Sequence, residues 1–497
     1  MMLTYTQPIK KQVRHTVVKK AITNITTKRD EASVISKDYV RNIYDYYSNL
    51  EEESPTKNEV NEIDTKFIQD WERLHESINS TKTVSELNVC YLCGPEPEND
   101  FKELIDFGVL PQNIWAFEME IGTYKQALSN YDEKNYPQPK IVKQKLENFF
   151  KYTPKKFDII YIDACASIPS DKHALKCVKD LFQYGRLNSP GELITNFATP
   201  DNPEDIGDYV MLISMYLYFR SDSSSLFKVV DNKIENVEFS KFKKKVENNF
   251  EKYYSEFVSM VIRDLGSFLI PIQRIKENPY FKQLYINFKP KFDYQKLFEM
   301  SKYNGIAKFM FSAKYLKQER NSFKKLNQFL DEIGNFDDIC YGLEFIVRLH
   351  NAKNNYSEEI TSTLEYFKNG NAHQFLDKVH INMYYDIVIY QLTYPMHYNN
   401  KQNYRCCYTA KSKKMMLDVT TFDECRYLYE WLPTMHQILY SFKNKSWQYV
   451  FRFALDGLVK SRKQNNNELF FQGSVISDRI HNFECIKVPN RNEKGRK

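Results

Sequence analysis

The sequence predicts an α/β protein: a mostly parallel sheet with helices on both faces, an N-terminal helical extension, and a large, mainly helical C-terminal domain. Three observations predict it. Four short apolar runs stand at residues 87–93, 113–117, 157–162 and 191–197. Helix-like segments separate them, and strands alternating with helical patterns imply right-handed crossovers and parallel pairing. The runs are also near-continuous rather than alternating, as strands covered on both faces are.

In such sheets a ligand sits outside the carboxyl ends of the strands, at the switch point. The first run ends at Gly94-Pro95-Glu96-Pro97, the second at Glu118, the third at Asp163, and the fourth contains Asn196. One turn and three polar residues are therefore expected to converge on one edge. A carboxylate ending a second strand is the usual partner of ribose hydroxyls in nucleotide-like cofactors, and Glu118 follows Glu96 at about the offset that partnership uses.

This order of parts resembles a class I S-adenosylmethionine-dependent methyltransferase domain. The matching pieces are the strand ending in Gly94-Pro95-Glu96, Glu118 closing the second strand, the segment from Phe157 to Asp163, and Arg186-Leu187-Asn188-Ser189-Pro190-Gly191-Glu192-Leu193-Ile194. The last is similar to the family's Leu-x-Pro-Gly-Gly segment before strand five. The resemblance covers residues 85–220 and implies a Rossmann-like sheet with S-adenosylmethionine as cofactor. It also implies cofactor-binding roles for Gly94, Glu96, Glu118, Asn148 and Asp163, with Asp163 as the catalytic candidate. The chain departs from the family in two places. The family's first turn is usually glycine-rich, because backbone must approach the cofactor, and here Gly94 stands alone. Where the family often places an acid to meet the adenine amino group stands Lys145, which cannot accept a hydrogen bond; Asn148 or Glu147 substitutes in that role.

At 497 residues the chain exceeds one core. The expected division is 1–80, a basic arm and helical extension; 81–240, the Rossmann-like domain; 241–465, mainly helical; and 466–497, a basic tail. With 42% hydrophobic residues, including 35 Phe and 36 Tyr, large cores are affordable. No apolar run reaches the ~18 residues of a membrane span. The N-terminus lacks a long apolar core, which points to a cytoplasmic protein. Nine irregularly spaced cysteines fit a reducing compartment. Cys90 and Cys93 lie at odd spacing on a strand, so their side chains point to opposite faces rather than to a shared metal. With 70 basic and 64 acidic residues the charge is nearly balanced, which permits a nucleic-acid or acidic partner without demanding one.

Residues 1–35 are polar and basic (Lys10, Lys11, Arg14, Lys19, Lys20) and read as a mobile arm, or as one contacting phosphate. Residues 36–80 read as helices, with Phe67, Ile68, Trp71 and Leu74 at helical spacing. Beyond the sheet come a helix at 205–220, a loop at 221–225, a strand pair around Asp231-Asn232, and a long helix at 242–265 opened by Lys241, Lys243, Lys244 and Lys245. That lysine run reads first as a solvated face. Residues 290–460 read as mainly helical, with segments at 294–300, 323–333, 338–349, 357–367, 381–398, 425–442 and 447–462.

Phosphate-loop and nucleophile-elbow motifs are absent. Asp163, Asp171 and His173 form a metal trio on paper only. The segment after Asp163, Ala-Cys-Ala-Ser, is unlike the Asp/Asn-Pro-Pro-aromatic of enzymes that methylate base amino groups. It is closer to the Asp-Ala-Pro-Cys of RNA carbon-5 cytosine methyltransferases, without the proline, and that chemistry would make Cys165 a nucleophile; a small residue packing at a strand end is the plainer account. A carboxylate at Asp163 can orient a nucleophile or take its proton. Tyrosines can stack bases, although most of 36 must pack. The expectation is methyl transfer to a macromolecule, with nucleic acid favoured by the basic segments. The rival is a catalytically silent scaffold or recognition subunit, its helical C-terminal half holding a protein partner.

Overall fold

The structure is a computed structural model of the chain. It describes residues 7–132, 140–170, 174–220, 229–230, 233–234, 237–279, 305–319, 323–351, 382–410, 412–441, 443–462 and 490–494, with 281, 362 and 488. The serine-rich loop at 221–225, the helices expected at 294–300 and 357–367, Asp171 and His173, and most of the basic tail lie outside the described residues.

The apolar runs are strands. β1 (Val89–Leu92), β2 (Ile114–Phe117), β3 (Lys140–Val142), β4 (Phe157–Asp163) and β5 (Leu187–Ala198) pair in parallel in the order β3-β2-β1-β4-β5. Chain order reverses direction at β1, so the switch point lies between β1 and β4. Beyond β5 the path continues through β10 (Lys413–Asp423), β9 (Tyr404–Ala410) and β11 (Asn492–Glu493). β10 runs antiparallel to both β5 and β9, which leaves β9 parallel to β5. β8 (His397–Tyr398) pairs with the end of β10. β6 (Val229–Val230) and β7 (Lys233–Ile234) form the separate ribbon expected around Asp231-Asn232.

The sheet thus draws two long strands from a stretch expected to be mainly helical. Both faces of β9 and β10 are buried. Tyr408, Met415, Leu417 and Val419 face one core, and Cys407, Met416 and Phe422 the other. Such a segment lacks the polar alternation that would mark a strand. The expected long helix at 242–265 is two, Val237–Asn248 and Phe250–Asp264, parted at Asn249. Lys241, Lys244 and Lys245 are exposed on the first of them.

The N-terminal stretch is also more ordered than expected. Residues Pro8–Ile25 form a helix, not a mobile arm. Val13, Val17, Val18, Ala21, Ile22 and Ile25 are buried in the core on one face of the sheet, beside Phe101, Leu104 and Tyr131 of the helices Glu98–Asp106 and Ile121–Asp132. Full burial of each branched side chain contributes about 2 kcal/mol, and the lysines Lys11 and Lys19 ride on the exposed side. The opposite face is covered by Leu146–Tyr152, Ala174–Gln183, Pro203–Arg220 and Phe250–Asp264. The N-terminal helices Tyr39–Ser48 and Thr65–Ile78 join the C-terminal helix Lys445–Arg462 through Tyr39 Oη to Asp456 (2.8 Å) and Asp64 N to Ser446 Oγ (3.0 Å).

The N-terminal helix is pinned at its far end by Asn24, whose Nδ2 donates to Glu192 Oε1 at 2.9 Å and to the Gln402 carbonyl at 3.2 Å. Glu192, midway along β5, is fully buried, and burial raises its carboxyl to about 8 against hydrogen bonds from Thr421 and Asn24. The unfolded chain loses this proton near pH 4.5 while the folded chain keeps it to about 8, so folding weakens as pH rises through that window, by on the order of a few kcal/mol. In Glu192→Gln, denaturant unfolding at pH 5 and at pH 8.5 is expected to differ less than in the wild type, with the variant the more stable of the two proteins at pH 8.5.

Candidate active site

Each parallel strand delivers its last residues to one edge. β1 ends at Leu92, and Gly94 follows with φ +59°, a backbone conformation that side-chain-bearing residues rarely adopt. A Cβ built on Gly94 meets nothing within 4 Å, so the turn opens onto free space. Pro97 is buried and its carbonyl accepts from Tyr91 Oη at 2.7 Å, while the Pro95 carbonyl accepts from Asn130 Nδ2 at 2.7 Å. The prolines therefore brace the turn from below. Glu96 Oε2 accepts from Asn99 Nδ2 at 2.8 Å, which holds this carboxylate at the N-terminal end of the Glu98–Asp106 helix.

Glu118 follows β2 and is half-buried. Its Oε1 accepts the Glu120 N–H at 2.8 Å, and its second oxygen has no partner among the described residues. Exposed Met119 and Ile121 flank it. Burial first, then the charges of Glu118 and Asp100, push the Cys93 thiol up to about 12. The edge below Gly94 is thus acidic and holds its thiol protonated. Cys90 belongs to the opposite core from Cys93, as the strand period requires.

Asp163 ends β4. Its Oδ1 accepts from Asn196 Nδ2 on β5 at 3.0 Å, and the same Nδ2 donates to Tyr408 Oη on β9 at 2.8 Å. Asp163 and Asn196 are directly opposite in the β4–β5 ladder, so their side chains leave the sheet on the same face. Cys165 is exposed, with φ +48° and its Sγ 3.2 Å from Asp163 Oδ1. Burial, then the charge of Asp163, raises the Tyr408 hydroxyl well above its ordinary value, so it stays a neutral hydrogen-bonding group.

The N-terminal helix adds a cation to this edge. Arg14 Nε lies 2.8 Å from Asp100 Oδ1. Burial works against its charge, yet Asp100, Tyr161 and Asp163 more than offset it and hold the guanidinium ionised. Asp100 is pulled the other way: burial raises it, Arg14 lowers it, and Asp163 raises it again, with a net shift upward. One cation therefore serves two carboxylates. Next to it His15 pairs with Glu103.

Gly94, Glu96, Glu118 and Asp163 thus share the edge where strand ends placed them. Asn148 is exposed in the first turn of the Leu146–Tyr152 helix, and no hydrogen bond ties it to the other four among the described residues. Asp100 and Tyr408 escaped the sequence reading, and Arg14 was read only as part of a basic arm, not as a site residue. Only Arg14 carried a signal: the stripe Val13, Val17, Ala21, Ile25 makes its segment a helix with one apolar side. Among the described residues no group of His, Cys, Asp and Glu suits a metal ion, and no helix is long and apolar enough to cross a membrane.

The order β3-β2-β1-β4-β5, the antiparallel β10 set between β5 and β9, and an acid closing β2 are now in place. The chain has a Rossmann-like fold with a mostly parallel central sheet. No protein-family model and no curated protein matches the sequence. Three solved structures are similar in part. A candidate methylase from Haemophilus influenzae is 13% identical, with 29% of this chain and 78% of that one covered and a TM-score of 0.20. An S-adenosylmethionine-dependent methyltransferase from Clostridium acetobutylicum is 17% identical, covering 32% and 57% at a TM-score of 0.19. A candidate methyltransferase from Bacillus halodurans is 15% identical, covering 45% and 91% at 0.19. Scores this low carry no weight, and the fold stands on its strand order.

Removing Arg14 leaves the charges of Asp100 and half-buried Asp163 uncompensated, where loss of one partner of a largely buried pair costs about 3 kcal/mol. Arg14→Met is expected to lower stability by that order at pH 7. The deficit should shrink as pH falls from 7, because Asp100, already raised, takes up a proton more readily; urea unfolding across that range checks this.

Proposed function

We propose that this chain is a methyltransferase that takes its methyl group from S-adenosylmethionine and transfers it to a macromolecule, with nucleic acid as the leading acceptor class. The observation that carries the reading is the shared edge: an open glycine turn, a half-buried Glu118 with one oxygen uncommitted, and the Asp163–Asn196–Tyr408 chain, all at the switch point of a Rossmann-like sheet. These residues suit the cofactor chemically. Glu118 accepts from two ribose hydroxyls; Met119 and Ile121 offer exposed apolar faces to a purine; Gly94 lets backbone approach; Glu96 and the acidic surroundings favour a cationic ligand. When bound, S-adenosylmethionine supplies an electrophilic methyl on a sulfonium.

The protein's own part is alignment and proton management. Asp163 orients an acceptor group or takes its proton. Asn196 fixes Asp163 from the neighbouring strand, and Tyr408 fixes Asn196, so a residue far along the chain sets the carboxylate's direction. Arg14 places a positive charge near Asp163. Exposed Lys11, Lys19, Lys241, Lys244 and Lys245 support contact with phosphate away from the acidic edge.

A second reading, a silent scaffold with a protein partner on the helical C-terminal half, is favoured by the glycine-poor turn, where Glu96 is already committed to Asn99. Calorimetric titration separates the two. The expected outcome is micromolar binding of S-adenosylmethionine and S-adenosylhomocysteine, weakened at least tenfold in Glu118→Ala and little changed in Asp163→Asn. Absence of heat with folded protein sinks the enzyme reading. For the acceptor, binding of RNA or DNA oligonucleotides that weakens with added salt is expected, as phosphate contacts release counterions; no binding at low salt removes nucleic acid.

A further inference from the structure

A second group of charges lies away from the candidate active site, on the other face of the sheet. Arg405 on β9 and Asp418 on β10 are directly opposite in their ladder, with Nε 3.1 Å from Oδ1. Arg491, just before β11, reaches the same carboxylate, its Nη2 2.7 Å from Oδ2. Both arginines also take Ser255 and Ser259 of the Phe250–Asp264 helix. Burial would raise Asp418, but Arg491 and Arg405 win and hold it ionised. This pairing is complete without a further cation.

Arg263, on the last turn of that helix, is the further cation. It is 1% exposed. Its guanidinium carbon stands 4.9 Å over the Tyr398 ring, a cation–π contact. Nε and Nη1 are enclosed and have no acceptor among the described residues. Asp264, the nearest carboxylate in sequence, is engaged by the Tyr216 hydroxyl. Arg263 is thus in electrostatic contact with Asp418, Asp264 and Arg491, in a group holding three arginines and two aspartates. Thr195 on β5, directly opposite Asp418, brings a second enclosed atom, Oγ1, without a partner. A buried guanidinium with two unmet N–H donors costs several kcal/mol unless an acceptor, and preferably a charge, meets them.

We propose that Arg263 is the core of a buried site for a small inorganic anion of the halide class, enclosed between the Phe250–Asp264 helix and the β9–β10 pair. A halide supplies a negative charge beside Arg263, and it accepts several N–H bonds without itself donating. It is also small enough for a site that Arg263 reaches with almost no solvent exposure. The bound ion would hold the helix to the strands whose opposite face presents Tyr408 to the edge.

The full-length protein, exchanged into isethionate buffer at fixed ionic strength, is titrated with sodium chloride or bromide against isethionate while Tm is followed. A saturable rise of a few °C is expected, since a ligand that binds only the folded state stabilises it. In Arg263→Met the rise should vanish, and in halide-free buffer the variant should be at least as stable as the wild type, because an unbalanced buried charge has been removed. Crystals of the wild type soaked in bromide should show anomalous density within hydrogen-bond distance of Arg263 Nε or Nη1, a readout that does not require the variant to fold. A Tm indifferent to halide, or an ordered water in place of bromide, overturns the proposal.

Discussion

A parallel sheet presents apolar side chains on two faces, and neither face can be left to water. In this chain one face is closed by helices that lie between the strands in sequence, as in any crossover fold. The other face depends on the helix at Pro8–Ile25, which precedes the first strand and lies across β4, β5, β9 and β10. Its apolar stripe closes the core, Asn24 ties it to Glu192 midway along β5, and Arg14 ties it to the helix after β1. Arg14 also stands in electrostatic contact with Asp163, where β4 ends, so the same helix reaches the candidate site. Covering the sheet and placing a cation at the candidate site are consequences of one packing arrangement.

The same geometry explains why an acidic edge is tolerable. Asp100 and Asp163 repel each other in a setting that already disfavours charge. Arg14 offsets both, and Asn196 donates to Asp163 from a position with no exposure. Hydrogen bonds to a carboxylate in a low-dielectric site are among the stronger ones available. Asp163 is consequently fixed in direction, which is what a group that aligns an acceptor requires.

What was legible in the sequence follows from how local each signal was. β1, β2 and β4 are apolar runs ended by Gly94, Glu118 and Asp163, and the fourth run, 191–197 within β5, carries Asn196 near its end, so strand and candidate ligand were read together. β9 and β10 were not, because Tyr404–Ala410 and Lys413–Asp423 are buried on both sides and acquire their identity only by pairing with β5, far upstream. The helix at Pro8–Ile25 was hidden by its lysines, which line the solvent side of an otherwise plain apolar stripe. Glu118 and Asp163 could be named because strand ends in this fold are ligand positions. Tyr408 and Arg14 could not, since each arrives from a distant segment and owes its place to tertiary packing alone.

The two-residue period of β9 and β10 gives this late-arriving pair two different tasks. Tyr408 and Leu417 point toward the N-terminal helix and the edge; Arg405 and Asp418 point toward the Phe250–Asp264 helix and the buried arginines. A slip of one residue in the β10–β5 register would exchange these faces, setting Asp418 under the N-terminal helix and withdrawing Tyr408's strand from Asn196. Such a slip would strand an ionised aspartate against Val17 and Val18 and leave Arg405 and Arg491 without a counter-ion, a cost of several kcal/mol. The buried ion cluster thus disfavours the wrong register more strongly than it stabilises the right one, and through the register it fixes where Tyr408 meets Asn196 and where Asn196 meets Asp163.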